Sequence, residues 1–173
     1  MKGIVSLAWH TWIEAVRDRV LYLLLFFGLF VFLASQILAP LALGEGRRIT
    51  IDIGLVSLSF FGCLLAIFVG HQLIFREIER KTLYFVFARP VRRSAFILGK
   101  YLGLLLTLGC ATAAMGALLA AVLWLRGYAF GFGLLEAIGL VFLELAVVAA
   151  LAVLLASFTS PILAGLFTLA AYV

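Results

Sequence analysis

Charge is what this 173-residue chain has least of: Asp, Glu, Lys and Arg make up 12% of it, against 66% hydrophobic residues. A soluble domain of that length has no use for so much apolar surface, so the composition excludes that class. Cysteine and histidine number two each. Cys63 and Cys110 fall within apolar runs and are expected to be packing residues rather than a disulfide or a metal pair. His10 and His71 lack ligand spacing, so no metal site is expected. The chain has no HExxH, no paired aspartates and no Ser/His pairing inside its apolar runs, which argues against an intramembrane enzyme. The phosphate-binding pattern GxxxxGK(S/T) is also missing, because Gly99-Lys100 is followed by Tyr101.

What is present is apolar length. Mean hydropathy is +1.28, and uncharged stretches run over Val20–Gly44, Ile53–Phe75, Tyr101–Leu125 and Leu145–Val173. A bilayer core of about 30 Å takes about 20 residues of helix. The expected fold is therefore an all-α integral membrane protein, a polytopic helix bundle forming a single domain over 1–173. Spanning helices are expected at 20–39, 53–75, 95–125 and 134–157. A fifth begins at 161–173, opened by Pro161 at a first helical position. That last piece rises roughly 20 Å, short of a crossing, and the chain is read as C-terminally incomplete.

Residues 1–19 precede the first run. Ile4, Ala8, Trp9, Trp12, Ile13, Val16 and Val20 fall on one helical side and Ser6, His10, Glu14, Arg17 and Asp18 on the other. An interfacial helix on the inner leaflet is expected, with a straight extension of the first crossing as the alternative. The first apolar run is too long for a leader's core and is expected to be retained.

The scarce charge is concentrated in one place. From Arg76 to Lys100 there are seven Lys/Arg and two Glu, so this segment carries the whole net charge of +5. Cytoplasmic loops gather Lys and Arg, which places 76–94 and the N-terminus in the cytoplasm of a cell whose inner (cytoplasmic) membrane holds the protein as a multi-pass chain. Leu83, Phe85, Val86 and Phe87 are too many apolar residues for a solvated loop, so a short amphipathic helix stopped before Pro90 is expected. Basic charge there also attracts anionic membrane lipid, at about 1 kcal/mol per residue.

Two further features stand out. Gly99 and Gly103 open a small-residue face, continued by Gly109, Ala113, Gly116 and Ala117, of the kind that lets membrane helices approach closely. Lys100 beside them can reach back to the headgroups. Glu144 lies near the middle of its run, where an acid costs a few kcal/mol and faces a pathway or a partner. It either makes a polar contact along such a pathway or, protonated or hydrogen-bonded, fixes helix packing.

The run Arg76-Glu77-Ile78-Glu79-Arg80-Lys81-Thr82-Leu83-Tyr84, then Arg89-Pro90-Val91-Arg92-Arg93-Ser94 and Leu98-Gly99-Lys100-Tyr101-Leu102-Gly103, resembles the ABC-2 type permeases of ABC transporters. Glu14-Ala15-Val16-Arg17-Asp18-Arg19 is similar to that family's entry into its first crossing. The resemblance implies a permease without catalytic residues of its own. ATP and Mg would sit on a separate ABC ATPase subunit, and no cofactor on this chain. It makes 76–94 the coupling helix, with Glu77, Glu79, Arg80, Thr82, Leu83 and Tyr84 as contacts to the ATPase. It also implies a second permease subunit, forming a homo- or heterodimer, six crossings per subunit where this chain offers fewer, and export more often than import. No nucleic-acid partner is implied. The alternative is a non-transporting anchor that recruits a soluble partner through its basic segment.

Overall fold

In lipid a backbone amide must find its partner inside its own segment, so long uncharged runs become helices. The computed structural model describes residues 2–38, 46–79, 93–128, 131–159 and 161–172. The regular elements among them are six helices: α1 Lys2–Val16, α2 Arg19–Leu38, α3 Gly46–Glu79, α4 Arg93–Leu125, α5 Phe132–Phe158 and α6 Pro161–Tyr172. Stretches long and apolar enough to cross a bilayer lie at Gly46–His71, Ile97–Leu125 and Phe132–Phe158, with shorter apolar stretches at Leu21–Ala34 and Leu163–Tyr172. The protein is an all-α, polytopic membrane bundle.

The helices differ from the expected spans at informative places. α3 starts at Gly46 rather than Ile53, so Arg47, Arg48 and Asp52 belong to its first turns and not to a loop. Thr50 Oγ1 donates to the Gly46 carbonyl at 2.7 Å, and Arg48 and Asp52 pair at i,i+4 across 3.9 Å. Polarity alone made these residues look like a connection, but both contacts are helical ones. At 34 residues, α3 is about 50 Å long and extends beyond any bilayer core.

Glycines set the helix directions. Gly28 of α2 faces Phe61 and Gly54 of α3 faces Phe32, so α2 and α3 run antiparallel. Gly62 and Gly70 of α3 face Leu145 and Ala152 of α5, a parallel pair, while Gly116 and Gly109 of α4 face Ile138 and Phe142 of α5, an antiparallel one. Gly165 of α6 lies against His71, and Tyr172 reaches Ser59, which makes α6 antiparallel to α3. The chain therefore runs up and down. The start of α2, the end of α3, the start of α4 and the α5–α6 turn share one end. α3 packs against all five other helices.

Two clusters fill the interior. One gathers Leu21, Cys63, Leu65, Ile67, Leu104, Leu108, Leu145 and Val148; the other, towards the opposite end, gathers Phe32, Leu119, Leu123 and Leu134. The outside is equally greasy, with Phe26, Phe30, Leu140 and Val147 exposed, as a lipid-facing surface requires. Cys63 is buried, Cys110 is exposed, and both are free thiols.

α1 is a separate helix, broken from α2 at Arg17 and Asp18. It packs most extensively on α4, and the side it buries is Ala8, Thr11 and Ala15, while Trp9 and Ile13 face out. Of the apolar side read from the sequence, Ala8 is in the contact and Trp9 and Ile13 are outside it. Small residues win that position because they let two backbones approach. Lys100 is only 5% exposed, so it lies within the protein rather than reaching out along lipid.

α4 ends in a Schellman turn. Tyr128 N–H donates to the Leu123 carbonyl and Gly127 N–H to that of Trp124, with Gly127 at φ +73° and Tyr128 packed on the buried cluster that holds Leu123. Only glycine takes that backbone conformation without cost. Gly127→Val is expected to destabilise the protein by about 1–2 kcal/mol, read as a lowered midpoint in thermal unfolding. An unchanged midpoint would refute the assignment.

Candidate functional site

The polar residues that matter are those with no water to solvate them. Ser59 sits near the middle of the apolar part of α3 and Glu144 near the middle of α5. α3 and α5 approach closely because Gly62 leaves room for Leu145. One turn from that contact, Ser59 Oγ donates to Glu144 Oε1 at 3.0 Å. The same Ser59 oxygen lies 2.6 Å from the phenol oxygen of Tyr172 on α6. A hydroxyl carries one hydrogen. Since Ser59 spends its own on Glu144, Tyr172 must donate to Ser59. The chain of hydrogens thus runs Tyr172 to Ser59 to Glu144, tying three helices together at mid-membrane. The Glu144 side chain remains exposed at the outer end of this chain.

Of the two expected roles for Glu144, the packing bond to another helix is present, and the exposure also leaves the carboxyl accessible. Ser59 and Tyr172 were not singled out from sequence. A serine in an apolar run is a weak signal, and its partners lie 85 and 113 residues away.

Other hydroxyls along the bundle are satisfied within their own helices. Thr107 donates to the Gly103 carbonyl at 3.0 Å, Thr168 to that of Ala164 at 2.7 Å and Ser157 to that of Val153 at 2.9 Å. Tyr101 reaches instead from α4 to the Ala146 carbonyl of α5 at 3.0 Å. His71 is 7% exposed, its two ring nitrogens have no hydrogen-bond partner among the described residues, and it packs against Gly165. Among the described residues no group of three or more His, Cys, Asp or Glu is placed to hold a metal.

The charged segment is described in part. Glu77 and Glu79 fall in the last turn of α3, while Arg80, Thr82, Leu83 and Tyr84 lie outside the described residues. The helix therefore continues from Ser59 at mid-membrane into the segment itself. Gly103, expected at a helix contact, lies against α1: a Cβ there would sit 2.5 Å from Thr11 Cβ and 2.8 Å from the Ala8 carbonyl oxygen. Gly99 is buried on the same helix.

Residues 5–173 match the family model described as ABC-2 family transporter protein. No curated protein matches the sequence.

Proposed function

Since the chain belongs to the ABC-2 family of transporter proteins, we propose that it is the permease subunit of an ABC transporter, coupling ATP hydrolysis on a partner subunit to export across the inner membrane. The observation that carries this reading is the continuity of α3. One helix bears the mid-membrane Ser59 contact and, at its other end, Glu77 and Glu79. A displacement of its charged end by a soluble motor is therefore carried directly to Ser59, Glu144 and Tyr172.

The helix directions support the orientation. The end of α3 and the start of α4, which flank the basic segment in sequence, share one end of the bundle with Arg17 and Arg19, while Arg47, Arg48, Asp52, Arg126 and Glu136 belong to the other. On the positive-inside rule the first end, with the N-terminus, is cytoplasmic. The ATPase subunit docks there on Glu77, Glu79, Arg80, Thr82, Leu83 and Tyr84, with ATP and Mg bound on the ATPase. A second permease subunit completes the translocation unit.

The test is co-purification of the complete permease with the ATPase encoded beside it, followed by an ATPase assay. Glu77→Lys together with Glu79→Lys is expected to lower the recovered ATPase severalfold, as reversed charges do at a docking surface. A preparation with no associated ATPase, or one whose pairing ignores both substitutions, would favour the anchoring role instead.

A further inference from the structure

We propose that Ser59, Glu144 and Tyr172 form a mid-membrane site for a protonated amine carried on an apolar body. The proposal names a substrate class for the permease and so rests on that reading of the chain. The hydrogen-bond chain gives the site its polarity. Tyr172 donates to Ser59 and Ser59 to Glu144 Oε1, so both hydroxyl hydrogens are spent inward. What the cluster offers outward is acceptor capacity on an exposed carboxyl, which has room for several more hydrogen bonds. An acceptor-rich site matches a ligand that brings N–H donors and positive charge, and it repels an anion.

The surroundings select the rest of the ligand. Leu140 and Val147, one turn either side of Glu144 on α5, are 66% and 62% exposed, and Leu143 is 60% exposed. One carboxyl in the middle of an apolar stripe fits a charged head on a greasy chain better than a small hydrated cation.

The experiment uses the complete permease with its ATPase subunit in zwitterionic nanodiscs, with labelled octylammonium, octyltrimethylammonium, octanol and octanoate as probes in equilibrium dialysis. Saturable binding is expected in the order octylammonium, octyltrimethylammonium, octanol, with none for octanoate. Glu144→Gln is expected to weaken octylammonium binding by about tenfold or more, the loss of one charge-assisted contact. Glu144→Asp is expected to retain part of it. Stimulation of ATP hydrolysis by octylammonium should vanish with the binding.

Octanoate binding as well as octylammonium in the unsubstituted protein overturns the proposal without recourse to any variant. So does a Glu144→Gln protein that keeps the full preference. ATP hydrolysis and transport with no charge ranking remove the site and leave the permease. Saturable, Glu144-dependent amine binding with no associated ATPase supports the site and removes the permease.

Discussion

Gly103→Leu is expected to release α1 from α4, shifting the balance between docked and undocked α1 by about two orders of magnitude. The reason is the kind of atom opposite. A Cβ at Gly103 would lie 2.5 Å from Thr11 Cβ, 2.7 Å from Thr11 Cγ2 and 2.8 Å from the Ala8 carbonyl oxygen. Side-chain carbons can turn away, but a helical carbonyl cannot. Overpacking of this kind costs about 3 kcal/mol, and each 1.4 kcal/mol or so is tenfold. The readout is Trp12, whose indole N–H is buried in the docked state. With Trp9 and Trp124 replaced by Phe, its fluorescence should shift to the red in Gly103→Leu. Gly139→Leu is the control, since nothing lies within 4 Å of a Cβ there. Equal spectra for the two would mean that α1 does not dock at Gly103.

The second large effect concerns the approach of α3 to α5. A Cβ at Gly62 would meet Leu145 Cδ1 at 2.5 Å and Cδ2 at 3.1 Å, and Leu145 is 0% exposed. Gly62→Leu is expected to destabilise the bundle by about 3 kcal/mol. Leu145→Ala alone should cost about 2–5 kcal/mol through the cavity it leaves. Gly62→Ala combined with Leu145→Ala should cost less than the two singles together, with a coupling of about 1–3 kcal/mol. Denaturation midpoints of the four proteins in one detergent measure it. Strict additivity would show that the two residues do not touch. The Ser59–Glu144 bond, which depends on the same approach, would lose its basis as well.

Much of this architecture was legible in the chain, and what escaped did so for definable reasons. The uncharged run at Ile53–Phe75 announced a helix because lipid allows little else. It could not announce that the helix begins at Gly46, since Arg47, Arg48 and Asp52 look the same in a loop and in a solvated helical turn. The glycine face at Gly99 and Gly103 was readable as a packing surface, but periodicity identifies a face and not its occupant. That Thr11 and Ala8 fill it follows from α1 folding back onto a helix far along the sequence. On α1, Trp9 and Ile13 face out while Ala8, Thr11 and Ala15 make the contact, because in lipid it is small residues that let helices approach. Glu144 was conspicuous by its cost. Its partners were not, because a serine and a tyrosine are inexpensive residues whose meeting depends on the tertiary fold.

The central position of α3 has a consequence for how the protein is made. It leaves the ribosome before α4, α5 and α6, and each of these packs against it. Nascent α4, α5 and α6 therefore each reach the bilayer with their docking partner already in place. A lesion in the α3 glycines should then show first as failed biogenesis and degradation, before any defect in a finished transporter could be measured.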